Sequence, residues 1–169
     1  IVEYNPFTDV LTIKSATLPT GRAVLSCAEN SQTYKIYCFG GAGANILDSI
    51  VEYNPAIDNL TIKSAMLPFN TFGLSCAENS DTHKIYCFGG SYNGTNNNNQ
   101  IWEYDSSIDN LTIKNATLPT GRRGLACSQN SFSNMIYCFG GITDGGTTDQ
   151  IIEYNSFIDI LTIRPVTLP

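Results

Sequence analysis

The stretch "KIYCFGG" at residues 35–41 recurs at residues 84–90, and the variant "MIYCFGG" occupies residues 135–141. Each copy places one cysteine in a run of isoleucine, tyrosine and phenylalanine that ends at a double glycine. Aromatic and β-branched residues favour strands, and glycine commonly marks where a strand ends. The stretch therefore predicts the same short strand in three places along the chain.

The repetition extends far beyond this stretch. The segment "IVEYNPFTDVLTIKSATLPTGR" begins at Ile1 and returns in variant form at Ile50, Ile101 and Ile151, which gives spacings of 49, 51 and 50 residues. No segment shows a sustained apolar period of about 3.6 residues, so helices are not predicted. A period near 50 residues with strand-like segments indicates sheet repeats of the propeller kind more than a helical solenoid.

One repeat contains four predicted strands, at residues 23–29, 35–41, 49–54 and 59–67. The links between them are short and rich in turn-forming residues, which predicts an up-and-down antiparallel meander. A single four-stranded meander leaves much of its apolar surface exposed. Stacking successive meanders face to face would bury that surface.

The units resemble kelch repeats over the whole chain. The double glycine after the second strand, the tyrosine of the third strand followed by Asn or Asp, and the "LPTGR" segments at residues 18–22 and 118–122 carry the resemblance. One departure is that leucine stands seven residues after the tyrosine, where the family usually has tryptophan. The affected tyrosines are Tyr4, Tyr53, Tyr104 and Tyr154, and the leucines are Leu11, Leu60, Leu111 and Leu161. The resemblance implies an all-β, kelch-type β-propeller segment built from four-stranded antiparallel blades.

The repeat count predicts an incomplete ring. Residues 1–19 would supply strands 3 and 4 of a partial blade, and residues 20–68, 69–119 and 120–169 would each form one blade of a single propeller domain. Propellers contain about four to eight blades, so three and a half are too few for an ordinary ring. We therefore expect either a piece of a longer chain or a homo-oligomer whose other copies complete the ring or stack.

The six cysteines form three equivalent pairs, each separated by 11 positions. In a hairpin centred on residues 31–34, directly opposed residues have numbers that sum to 65, as Cys27 and Cys38 do. Opposed Cα atoms at a non-hydrogen-bonded position lie about 4.5 Å apart, which a disulfide can accommodate. The predicted disulfides are Cys27–Cys38, Cys76–Cys87 and Cys127–Cys138.

The alternatives are buried free thiols and zinc ligands. Zinc is disfavoured because the chain has a single histidine, His83, and no Cys-x-x-Cys motif. Disulfides predict an oxidising location, which we take as extracellular or cell-surface. Four Asn-x-Thr triplets make a glycoprotein plausible in a glycosylating host, and the acceptor candidates are Asn59, Asn93, Asn110 and Asn115.

Net charge restricts the possible partners. The chain carries a formal charge of −6 with nine scattered Lys and Arg residues. A nucleic-acid surface needs a basic patch, so no nucleic-acid partner is predicted. No apolar run approaches the length of about 20 residues that a membrane span requires, so membrane insertion is not predicted either.

Two rims follow from the meander. The links between strands 1 and 2 and between strands 3 and 4 would lie on one rim, and the 2–3 links and the links between units on the other. The 3–4 links are nearly uniform, whereas the 2–3 links differ in length and content, which favours the second rim for recognition. The kelch resemblance implies the same face. The alternative is that these loops are only solvated. The candidates are Arg22, Asn45, Asp48, Tyr92, Asn96, Arg122, Arg123, Asp144 and Asp149.

Catalysis is not predicted. One histidine leaves no evident nucleophile–base arrangement, and the glycine-rich links lack the lysine of a phosphate-binding loop. Acidic residues recur in every unit. This recurrence favours a structural role for them over a role as a pair of catalytic carboxylates that acts on a sugar. No metal and no cofactor are predicted.

Three functions are therefore considered. The first is a binding or scaffold module that recognises a protein or a glycan through its 2–3 and unit-to-unit links. The second is a structural protein that self-assembles into a filament or a shared propeller. The third is a fragment of a secreted sugar-acting enzyme of the galactose-oxidase type, whose metal-ligating histidines this stretch lacks.

Overall fold

Antiparallel strands make up all the regular structure of the chain, and no helix forms. The computed structural model describes every residue from Ile1 to Pro169. The strands are β1 Val2–Asn5, β2 Val10–Ile13, β3 Ser26–Asn30, β4 Lys35–Phe39, β5 Ser49–Asn54, β6 Asn59–Met66, β7 Ser75–Asn79, β8 Lys84–Phe88, β9 Gln100–Asp105, β10 Asn110–Thr117, β11 Arg122–Arg123, β12 Ala126–Asn130, β13 Met135–Phe139, β14 Ile142–Thr143, β15 Gly146–Thr147, β16 Gln150–Asn155 and β17 Ile160–Thr167.

Three four-stranded meanders and one two-stranded ribbon follow one another along the chain. The N-terminal ribbon is β1–β2, the first sheet β3–β6, the second sheet β7–β10, and the third sheet comprises β12, β13, β16 and β17. These sheets lie within residues 1–19, 20–68, 69–119 and 120–169 respectively. The predicted all-β, four-stranded antiparallel architecture is confirmed. No sheet closes into a ring, and the row is open at both ends.

The first hairpin of each sheet is held by an asparagine. Asn30 Oδ1 accepts hydrogen bonds from the amides of Gln32 and Thr33, and this turn brings Tyr34 into the left-handed region at φ 57°. Asn79 and Asn130 accept in the same way in the other two sheets. Asparagine side chains favour such turns, so the local sequence sets the strand register.

Two of the predicted strand bounds differ from the structure by more than one residue. Strand 1 begins at Ser26 instead of Ala23, and strand 2 ends at Phe39 instead of Gly41. Gly40 and Gly41 have φ values of 59° and 100°, which end the pairing at the double glycine. A Cβ on Gly40 would also collide with the carbonyl oxygen of Thr71 in the next unit, so only glycine fits there.

A small sheet of β11, β14 and β15 is an addition that the strand pattern did not predict. It forms because the 2–3 link of the third sheet folds back as a hairpin between Ile142 and Thr147 and pairs with Arg122–Arg123. The equivalent links of the other two sheets make only isolated bridges. The rims of the three sheets therefore differ in structure as well as in sequence.

The core lies between the sheets. Strand alternation sends successive side chains to opposite faces, so Ile85 and Cys87 face the first sheet while Tyr86 and Phe88 face the third. Two clusters of ten buried residues result, one at each junction between complete sheets. Burial of apolar area at these two junctions, at about 25 cal/mol per Å², holds the row together.

Candidate functional site

All six cysteines are paired as predicted. The disulfides are Cys27–Cys38, Cys76–Cys87 and Cys127–Cys138, with Cα–Cα distances of 4.0, 4.0 and 4.1 Å, and no cysteine is free. Each joins directly opposed residues of strands 1 and 2. Since disulfides persist in oxidising compartments, they indicate a non-cytoplasmic, oxidising environment. They also leave no thiolate for metal binding or nucleophilic attack.

The recurring aspartates join neighbouring sheets. Asp58 accepts a hydrogen bond from the Tyr53 hydroxyl at 3.0 Å within its own hairpin, and its other oxygen accepts from the Ser15 amide at 2.8 Å and hydroxyl at 2.6 Å. We call this arrangement the Tyr–Asp clasp. It recurs where Asp109 and Asp159 accept from the backbone amides of Ser64 and Asn115. These hydrogen bonds give the recurring aspartates a structural role, as the sequence predicted.

Acid should loosen the clasp. Hydrogen bonds from Ser15 hold the pKa of Asp58 at about 2, against an ordinary value of 3.8, although desolvation acts in the opposite direction. A folded-state pKa below the unfolded one means that the clasp contributes fully above about pH 4 and is lost as the pH falls toward 2. We expect the urea midpoint to fall over this range, and to fall less in Asp58→Asn. An NMR titration that places the Asp58 midpoint near 4 would contradict the clasp.

The recurring glutamates are paired with lysines. Glu52 accepts from Lys35 at 2.6 Å and from Lys63 at 3.2 Å, and the Tyr37 hydroxyl donates to it at 3.1 Å. Burial opposes ionisation of Glu52, but the two lysines outweigh it and lower its pKa. The second sheet repeats this arrangement around Glu103. These carboxylates are therefore committed to neighbouring side chains, as the sequence predicted.

A serine, a glutamate and the single histidine meet between the first and second sheets. The Ser31 hydroxyl donates to Glu78 at 3.0 Å and lies 3.1 Å from His83 Nδ1. The sequence did not predict this cluster, because its members come from different units. At the next junction Ser80, Gln129 and Asn134 occupy the equivalent positions, and Gln129 Nε2 donates to Ser80 Oγ at 3.0 Å and to Asn134 Oδ1 at 3.3 Å. Both clusters join neighbouring sheets, and the glutamine and asparagine of the second junction show that this link does not require ionisable side chains.

Two of the rim candidates are structural arginines. Arg122 is completely buried, and its guanidinium donates to Gln150 Oε1 at 2.8 Å, to Thr120 Oγ1 at 3.1 Å and to the Gly140 carbonyl at 3.4 Å. Its assignment as a binding residue is wrong, because no ligand can reach it. Arg22 is half-buried and donates to Ser49 Oγ and the Gly40 carbonyl. Both brace the start of the 2–3 link.

The structure brings the 2–3 links and a link between units together on one rim, as predicted. Arg123 Nη1 donates to Asn97 Oδ1 at 2.8 Å, and Asn97 Nδ2 donates to Asp144 Oδ1 at 2.8 Å. Asn97 thus connects the second sheet to both rim links of the third. It was missed in the sequence because nothing distinguishes it within the run Asn96–Asn99. Other rim candidates are exposed side chains, namely Asn45, Asn96 and Asp149, and Asp48 is half-buried.

The second sheet carries an aromatic series that reaches this rim. Tyr92 is 45% exposed and stands edge-on to Phe69, with ring centroids 5.6 Å apart. Phe69 in turn stands edge-on to buried Trp102 at 5.5 Å. The other units have threonine at the Phe69 position. The series is therefore a rigid aromatic surface that one unit alone presents.

The apolar cavity lies away from the rim. Its volume is about 440 Å³, and ten of its twelve lining residues are hydrophobic, including Leu25, Ile36 and Tyr53. It opens between the N-terminal ribbon and the inner half of the first sheet. At the other junctions, strands 1 and 2 of the preceding sheet occupy this space. No group of three or more His, Cys, Asp or Glu side chains could hold a metal ion.

The four predicted glycan acceptors, Asn59, Asn93, Asn110 and Asn115, all have exposed side chains. Asn59 and Asn110 begin β6 and β10, and Asn115 lies within β10. Asn93 is in the 2–3 link, where its Oδ1 accepts from the Thr95 hydroxyl of its own triplet. None of the elements is a helix of the length and apolarity needed to cross a membrane.

One solved structure, described as "Structure of YjhT", is similar to this chain. The two superpose with a TM-score of 0.78 at 18% sequence identity, over 95% of this chain and 57% of that one. This chain thus spans 57% of the length of that structure. No protein-family model and no curated protein sequence matches. At this identity the similarity supports the arrangement of sheets, and fold alone does not determine function.

Proposed function

We propose that the chain is a segment of a kelch-type β-propeller, located outside the cell or on its surface, that recognises a glycan or a protein through one rim. Three features support the architecture: face-to-face meanders, the double glycine after the second strand and the Tyr–Asp clasp between units. Three disulfides support the location. Glycosylation at the exposed acceptor asparagines belongs to the same proposal.

The aromatic series at the rim is the observation that carries the binding proposal. Tyr92 is held by Phe69, which packs in turn on Trp102, so little conformational entropy is lost when the exposed face of Tyr92 contacts a ligand. Asparagine and aspartate side chains in the neighbouring links supply donors and acceptors of the kind that hydroxyl groups need. A rigid aromatic beside polar groups suits both a sugar face and a protein side chain. We propose binding and not catalysis, because the recurring carboxylates and the histidine are engaged in contacts between sheets.

Changing Tyr92 tests this proposal. A glycan array and an interaction screen identify the ligand, and calorimetry then compares variants. We expect Tyr92→Ala to weaken binding by about tenfold or more, whereas Tyr92→Phe retains most of the affinity. Tyr34→Ala is the matched control, since Tyr34 is an exposed tyrosine on the opposite rim. A ligand that responds to Tyr34→Ala and not to Tyr92→Ala would contradict the proposed rim.

Self-assembly is a second candidate, because the ribbon and the third sheet present apolar surface that further blades, of the same protein or of another copy, would cover. On the ribbon, Val2 and Tyr4 are 59% and 57% exposed, and on the third sheet Phe139 is 37% exposed. At internal junctions the equivalent side chains of β4, β5, β8 and β9 are buried. Apolar surface of this kind commonly marks a contact with another polypeptide.

A further inference from the structure

The hairpin turns on the edge of the sheets opposite Tyr92 carry exposed apolar side chains. Isoleucine occupies the same position in three of the turns between strands 3 and 4, and phenylalanine stands one position earlier in two of these turns. The exposed side chains include Phe7, Ile57, Ile108, Phe132, Phe157 and Ile158, and each is between 58% and 97% exposed. We call the surface that these six residues define the turn rim.

Hydrogen bonds join the turns of neighbouring units into one continuous edge. Asn30 Nδ2 in the first 1–2 turn donates to the His83 carbonyl at 2.6 Å and to Ser106 Oγ at 3.2 Å. Asn79 repeats this contact at the next junction, where its Nδ2 donates to Ser156 Oγ at 2.8 Å. Both asparagines are buried, so the turns are fixed relative to one another. Little conformational entropy therefore opposes a contact made with their tips.

The exposure of the turn rim does not depend on where the row of sheets ends. Successive sheets pack face to face, so a further sheet would cover a face of the row and leave the turns at the strand ends uncovered. Ile108 illustrates this, because its sheet is packed between two others and the side chain is still 70% exposed. The turn rim is therefore a property of the repeat.

The same turns carry most of the net charge of the chain. They contain six aspartates and two lysines, a net charge of −4 out of the −6 of the whole chain, in residues 5–9, 30–35, 54–58, 79–84, 105–109, 130–135 and 155–159. Lys35 and Lys84 are bound to Glu52 and Glu103 at 2.6 and 2.7 Å, so both lysines are already paired with carboxylates. The turn rim is thus apolar at its tips and acidic around them.

We propose that the turn rim binds a cationic polypeptide segment that presents apolar side chains beside lysine or arginine. The apolar side chains of the segment cover the tips, and its cations lie near the turn aspartates, of which Asp81 is exposed. Complementary charge of this kind favours encounter with the partner. A second copy is disfavoured because two acidic rims repel each other, and an anionic lipid surface is disfavoured for the same reason. The proposal goes beyond the Tyr92 rim and does not depend on it.

Fluorescence anisotropy with two labelled peptides tests the proposal on the intact, disulfide-bonded chain. One probe is an amphipathic peptide of leucine and lysine, and the other has glutamate in place of each lysine. We expect the lysine peptide to bind at least tenfold more tightly than the glutamate peptide, because only its charge complements the turn rim. Added salt should weaken the binding of the lysine peptide, since it screens exposed charges.

Variants of single exposed side chains locate the binding surface. We expect Ile108→Ser and Phe132→Ser each to weaken binding of the lysine peptide by about tenfold, because each removes apolar area that the peptide covers. Asp81→Asn should weaken it by about threefold, as expected for an exposed charge. Ile62→Ser is the matched control, since Ile62 is 60% exposed but lies within β6. Circular dichroism checks that every variant folds.

The alternative occupants are measured on the same proteins. Sedimentation equilibrium reports self-association, and flotation with vesicles of phosphatidylcholine, with and without phosphatidylserine, reports lipid binding. Absent binding of the lysine peptide, equal binding of the two peptides, or equal effects of Ile108→Ser and Ile62→Ser would overturn the proposal. Self-association or vesicle binding that Ile108→Ser abolishes would also overturn it, in favour of that occupant. Tyr92→Ala should leave peptide binding unchanged, which separates this surface from the Tyr92 rim.

Discussion

Arg122→Ala is expected to lower the free energy of unfolding by about 3 kcal/mol. The substitution empties a completely buried site and leaves Gln150, Thr120 and the Gly140 carbonyl without their donor. Burial lowers the pKa of Arg122 and disfavours its charge, which offsets part of the loss. The missing hydrogen bonds and the cavity outweigh this relief, because three acceptors lose their donor at once and one of them, the Gly140 carbonyl, is in a buried residue.

Arg22→Ala is the matched control for this prediction. Arg22 occupies the same position one hundred residues earlier and also donates to a carbonyl and a side-chain oxygen, but it is only half-buried. Water can replace its hydrogen bonds, so we expect a loss of about 1 kcal/mol. Urea unfolding followed by tryptophan fluorescence gives both values, because the one tryptophan, Trp102, is fully buried. Equal losses for the two arginines would show that burial does not set the difference.

Removing the central disulfide is the other change with a large expected effect. In Cys76→Ala/Cys87→Ala the unfolded chain regains the freedom of a loop of about a dozen residues, worth about 3 kcal/mol in the entropy model. Both cysteines are also buried, at 6% and 1% exposed, so packing is lost as well. We expect the urea midpoint to fall by more than in any single surface variant.

The pair Cys27–Cys38 provides the comparison. It closes a loop of the same length but lines the apolar cavity, and Cys27 is exposed. Cys27→Ala/Cys38→Ala should therefore lose the entropic contribution and little packing. Unfolding curves of the two double variants, measured without reductant, separate the two contributions. A larger loss for the outer pair would mean that burial at the second sheet contributes nothing.

Much of the fold could be predicted because its determinants are local. The hairpin register follows from an asparagine turn such as that at Asn30, and the register places Cys27 opposite Cys38. Alternation along each strand then assigns the core positions. The strand ends were less predictable, since the double glycine leaves the ladder where the Gly41 amide donates to the Thr71 carbonyl of the next unit at 2.8 Å. That contact involves residues that are distant in sequence.

The candidate site was harder to predict, because it depends on contacts between units. Arg22 and Arg122 stand in identical "LPTGR" segments, yet only Arg122 is fully enclosed. The sequence placed both on the rim, and the surrounding links decide which of them a ligand can reach. Nothing in the sequence distinguishes Asn97 from the other residues of its asparagine run. Its role depends on hydrogen bonds to Arg123 and Asp144, which are distant in sequence.

Repetition, hairpin turns and cysteine spacing are properties of short segments, and they were sufficient to predict the four-stranded sheets and the three disulfides. Exposure depends on which sheet packs against which, and that is set by side chains about fifty residues apart. Which arginine is buried and which is accessible, and which aromatic side chains reach the rim, were therefore decided only by the packing of the sheets. The physical reason is that backbone turns are decided within a few residues, whereas burial is decided by neighbours that the chain brings together from afar.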